Sequence, residues 1–137
     1  MQEVQNQEKL NIFSRFLAYV QSFFRAQFWR NKTNLGFFFG SLFFNILSWI
    51  FLAYFIKPSE YPIPLHYNIY FGIDLIGSYR RIFTLPLIGL FIILMNFVLG
   101  FWFYLKDRLV NYILLLTAFT VQIFVLIGAV SLIYINQ

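Results

Sequence analysis

Residues 35–56 read LGFFFGSLFFNILSWIFLAYFI, an unbroken run without a charged side chain. An α-helix rises about 1.5 Å per residue, so a run of this length crosses a hydrocarbon layer about 30 Å thick. Lipid offers no hydrogen-bond partner to a backbone, and a helix satisfies its amides within the segment itself. This stretch is therefore read as a transmembrane helix, and that reading decides the fold class. Downstream, residues 82–105 and 109–135 repeat the pattern, separated only by Lys106-Asp107-Arg108, which makes a tight charged turn. Pro86 falls in the first turn of the second run, where a missing amide proton costs little.

Upstream, residues 1–9 are polar. From Leu10 an apolar stripe follows helical spacing through Phe13, Leu17, Val20, Phe24 and Phe28, with Ser14, Arg15, Ser22 and Arg25 on the opposite side. A basic helix with a Phe-rich face is the pattern of a segment lying in the headgroup plane. Arg30, Asn31 and Lys32 mark its end. The polar preface and the lack of a small-residue cleavage site argue against a removed signal peptide, so the first span is expected to be a retained anchor. The expected fold class is an all-α integral membrane protein with three transmembrane helices, an N-terminal interfacial amphipathic helix and a small outward hairpin-like loop. Its two parts are residues 1–34 and 35–137, with spans over 35–56, 82–105 and 109–135 and the loop over 57–81.

Composition agrees. Of 137 residues, 61% are hydrophobic and 11% charged, outside the range of soluble globular domains. Cysteine is absent, which removes disulfides and thiolate metal sites. The formal net charge of +5 lies at the edges of the apolar runs, where anionic headgroups would be, so membrane lipid and not nucleic acid is the expected partner. Lys9, Arg15, Arg25, Arg30, Lys32, Lys106 and Arg108 fall on one side of the membrane, and Lys57, Arg80 and Arg81 on the other. By the cation bias of short loops, the N-terminus is expected in the cytoplasm and the C-terminus outside a plasma membrane.

The loop, KPSEYPIPLHYNIYFGIDLIGSYRR over residues 57–81, is the one long polar interval between spans. From Ile63 to Ile69 apolar and polar side chains alternate, the period of a strand with one covered face. Pro62 and Pro64 confine it to an edge position. Tyr70, Phe71 and Gly72 are expected to form a three-residue turn with glycine in the left-handed position. Ile69 would then face Ile73, Asn68 face Asp74 and Tyr67 face Leu75, with His66, Asn68 and Asp74 sharing the polar face. These three are the candidate binding residues. One histidine and one carboxylate are too few for zinc. Ser59 and Ser78 lack the strained elbow and oxyanion donors of a nucleophile. Neither an enzymatic activity nor a cofactor or metal is expected.

Within the spans, Asn45, Asn96 and Gln122 are the conspicuous polar side chains, expected at one depth as a hydrogen-bonded layer that fixes helix register. The other reading is a polar passage for a small solute. Ser41, Asn45 and Ser48, then Gly89, Asn96 and Gly100, then Ala118, Gln122 and Ala129 form stripes expected to line the seam between helices. Gly36 and Gly40 make a GxxxG pattern suited to dimerisation or to packing within the chain. Trp49, Trp102 and Tyr104 are among the aromatics read as interfacial anchors.

Pro64-Leu65-His66-Tyr67-Asn68, followed by Asp74 and Gly77-Ser78, resembles the first outward loop of SdpI-type bacterial membrane proteins. Gly72 lies one position late for that pattern, and Ile73 stands where the family usually has proline. The resemblance covers about residues 35–100 and implies recognition or immunity against a secreted toxin, through the His66 face of the loop. An accessory subunit of a larger membrane complex and a small homo-oligomeric transporter are the alternative expectations.

Overall fold

The computed structural model describes Ser14 and residues 27–137. Nearly all of the amphipathic helix expected over 10–28 lies outside the described residues. The chain divides into two compact units, Met1–Leu35 and Gly36–Gln137. In the first, a helical turn, Gln27–Arg30, buries Phe28, whose ring meets Trp29 edge-on at 5.0 Å. Asn31 then caps the next helix, its Oδ1 accepting from the Thr33 amide at 2.9 Å. The Asn34 amide nitrogen donates to the Phe28 carbonyl at 3.1 Å. Because of the Asn31 cap, helix α1 (Lys32–Phe55) starts three residues before the apolar run does at Leu35.

In the second unit α1 is followed by strands β1 (Ile63–Asn68) and β2 (Gly72–Gly77), a 3-10 turn (Tyr79–Phe83), and helices α2 (Thr84–Phe103) and α3 (Arg108–Ile135). Among the described residues, three helical stretches, Lys32–Phe55, Tyr79–Phe103 and Arg108–Ile135, are long and apolar enough to cross a membrane, which fits a multi-pass membrane protein. Pro86 is the third residue of α2, where its missing N–H leaves no intrahelical bond unmade. Asp107 caps α3 by accepting from the amides of Leu109 at 2.9 Å and Val110 at 3.3 Å. At this end the Lys106 ammonium lies 4.8 Å from the Trp102 ring centre, a cation–π contact.

The seam between the helices is built from small and polar residues. Ser41, Ser48, Ala118 and Ala129 are fully buried, and Gly89 and Gly100 are buried with them. Ser41 and Ser48 return their hydroxyl protons to carbonyls one turn back, Phe37 and Phe44. Of the GxxxG pair, Gly40 serves packing within the chain, since a Cβ there would sit 2.8 Å from the Phe119 ring. Gly36 faces open space. At the hairpin end, Leu52, Ile56, Ile82, Ala129 and Ile133 form a buried cluster, and Ile63 and Leu65 of β1 pack against it.

The hairpin forms, with a register that differs from the expected one. Asn68 faces Gly72 and Tyr67 faces Ile73, so the turn residues are Ile69, Tyr70 and Phe71, one position earlier than expected. Gly72 does hold the left-handed conformation, at φ 73°. The displacement from the expected register is two residues at both ends of the ladder, with two irregularities between. Leu65 is skipped between the pairs Pro64–Ile76 and His66–Leu75, and Asp74 between His66–Leu75 and Tyr67–Ile73. The extra residue on each strand offsets the other, so the ladder has the same register at its two ends and Ile63 faces Gly77. Ile63 and Leu65, on one face of β1, both pack against the buried cluster.

Candidate recognition hairpin and buried amide layer

The hairpin has a fixed root and a free tip. At the root, Ile63 and Leu65 pack on the cluster formed by the ends of α1, α2 and α3. The Asn136 amide nitrogen donates to the Pro64 carbonyl at 2.9 Å and to the Leu132 carbonyl at 2.8 Å, tying β1 to the end of α3. At the tip, Ile69, Tyr70 and Phe71 stand 85%, 88% and 82% exposed. Asn68 organises the turn beneath them, its Oδ1 accepting from the Tyr70 amide at 2.9 Å, as asparagine commonly does two residues upstream of an amide.

His66 and Asp74 meet on the polar side of this ribbon. The histidine Nδ1 lies 2.7 Å from Asp74 Oδ1, both side chains substantially exposed. The observed register makes this contact, because moving the turn back by one position brings Asp74 beside His66 and away from Asn68. With Nδ1–H donating to the carboxylate, the imidazole is held in one orientation and presents Nε2 outward. Asn68, expected opposite Asp74, instead faces Gly72 and is engaged with the turn. The expected triad is thus a pair plus a turn-forming residue. Ser59 bonds locally to the amide and carbonyl of Tyr61, away from any pairing with His66. Among the described residues no three histidine, cysteine or acidic side chains gather at one point. The pair can hydrogen-bond or ion-pair with a partner's polar groups, and the tip can bury apolar area against it.

Deep in the helices, Asn45 and Gln122 are brought together. Asn45 Nδ2 donates to Gln122 Oε1 at 3.0 Å and to the Pro86 carbonyl at 2.9 Å, and Gln122 Nε2 donates to the Gly89 carbonyl at 2.9 Å. Trp49 Nε1 completes the chain by donating to Asn45 Oδ1 at 3.2 Å. Asn96 does not join. Its Nδ2 donates to the Ile92 carbonyl of its own helix at 2.9 Å, one turn back. The expectation of a common depth fails for Asn96 because the apolar runs do not end where the helices end. Counted along the helices from Lys32, Phe103 and Arg108, Asn45, Gly89 and Gln122 lie thirteen, fourteen and fourteen residues in, whereas Asn96 lies seven from Phe103.

Two further contributors had faint signals in the sequence, and a third had none. Trp49 stands four residues after Asn45, the spacing of helix neighbours, so it acts here within the seam and not as an interfacial anchor. Gly89 is the only residue that fits its site, because a Cβ there would meet Gln122 Oε1 at 2.7 Å, Asn45 Nδ2 at 3.0 Å and Val125 at 3.1 Å. Asn136 gave no signal, since its partner is a carbonyl distant in sequence. Comparison with family models, curated proteins and solved structures finds no match to this chain.

Proposed function

We propose that the protein is a recognition protein of the bacterial cytoplasmic membrane, in which the helices hold up the hairpin and the hairpin tip binds a protein partner. The observation that carries this reading is the contrast between root and tip. Three successive large apolar residues stand free at the tip of a ribbon held by Leu65 and Asn136, a contiguous apolar surface of the kind that marks an interaction site. Large aromatics beside a polar pair are the composition of binding hot spots, and a rigid root lowers the ordering cost of association. The resemblance of the loop to SdpI-type proteins supports an immunity-like role, with a secreted peptide or protein as the partner. The amide layer supports a structural and not a transport role for the spans, since its donors are used within the chain.

The test compares abundance and phenotype in one strain set. Cells carrying the wild-type chain, His66→Ala, Asp74→Ala or the double change Tyr70→Ser, Phe71→Ser are challenged with secreted products of competing bacteria, and survival is scored against membrane level of the protein. The reading expects survival to fall at unchanged level. A loss of survival wholly explained by loss of protein would overturn it.

A further inference from the structure

Beside the hairpin root, between β1, β2 and the facing ends of α2 and α3, lies an open groove of about 400 Å³. Leu65, Leu75, Leu85, Ile88 and Leu132 make it apolar, and Arg81 is the one charged residue on its wall. The Arg81 stem crosses Gly77, where a Cβ would lie 3.3 Å from its Cδ, so the missing side chain lets the arginine lie flat against the ribbon. Its guanidinium makes no hydrogen bond or ion pair among the described residues. A second concavity, lined by Leu87, Ile88, Leu90, Phe91 and Leu94, shares Ile88 with the first and continues down the outer face of α2.

From Thr84 beside the arginine to Leu94 is ten residues, about 15 Å of helix and close to the depth of one leaflet's hydrocarbon. An unpaired cation at the head of an apolar track of that length matches a phosphate with an acyl chain beneath it. We infer that this groove binds an anionic phospholipid from the leaflet on the hairpin side, its phosphate on Arg81 and one chain along Leu85, Ile88 and Leu94. The inference rests on the helices crossing a bilayer and is independent of what the hairpin tip recognises.

Native mass spectrometry of the full chain in neutral detergent, titrated with phosphatidylglycerol or with diacylglycerol of identical chains, which lacks the phosphate, tests it. The expected result is about tenfold tighter retention of phosphatidylglycerol, the size of one charge-assisted contact. Arg81→Gln should abolish that preference, while Arg80→Gln, which removes an equal charge from outside the groove, should preserve it. Ile88→Trp, at a position 59% exposed, should obstruct the track and weaken retention of both lipids with helicity intact. Equal losses in Arg81→Gln and Arg80→Gln would reduce the effect to general surface charge and overturn the site, as would unchanged binding in Ile88→Trp. Competition by millimolar glycerol phosphate would overturn it too, because the head alone would then suffice without the chain. None of these outcomes depends on the survival assay, so the two readings fail separately.

Discussion

Asn45 carries a whole carboxamide into apolar surroundings, and both of its ends are occupied, the oxygen by Trp49 and the nitrogen by Gln122 and Pro86. In lipid-facing helices such bonds are worth about 0.6–2 kcal/mol, because the separated helices find other partners. Asn45→Leu and Gln122→Leu should each lower stability in detergent, and the double variant should lose less than the sum by about that amount. Asn96→Leu combined with Gln122→Leu should be additive, since Asn96 bonds only its own helix. A thermal or denaturant double-mutant cycle reads both. Gly89→Ala should cost about 1–3 kcal/mol, as an added methyl meets both amides and cannot be accommodated without parting them. The polar residues of this layer were legible as exceptions in apolar runs. Which of them meet was not, because partnership depends on where helices end, and Asn31 and Asp107 set those ends by capping.

At the scale of the element, the ribbon depends on its tether. Asn136→Ala removes the donor to Pro64 and leaves Ile63 and Leu65 as the remaining attachment. Hydrogen exchange of the β1 and β2 amides should quicken while α2 and α3 stay protected, the signature of local opening. His66→Ala, at an exposed position, should leave exchange nearly unchanged. Asn68→Ala should quicken it at the turn, because its side chain holds the Tyr70 amide. The alternation from Ile63 and the glycine at the turn made a hairpin readable from residues alone. The register was not, since moving the turn back by one position shifts the pairing by two residues, and an even shift leaves every side chain on the same face.

For the molecule as a whole, the hairpin and the end of α3 lie together through Asn136 and Pro64. Cysteines placed at Ser59 and Gln137 should therefore label alike with an impermeant reagent on intact cells. The cation bias assigns both to the outside, so a cysteine at Gln5 should stay unlabelled. Labelling at Gln5 alone would reverse the orientation. Three apolar runs, their order and the charged turn between the last two were all legible, because a membrane imposes its thickness directly on sequence.

A two-stranded ribbon ordinarily offers two raw margins on which another chain can crystallise as a further strand. Here Pro64 has no proton to give and its oxygen is already taken by Asn136, while the skipped Asp74 breaks the periodicity of the other margin. Each margin thus carries one interruption that opposes a further strand, the means by which natural sheet edges discourage templated polymerisation.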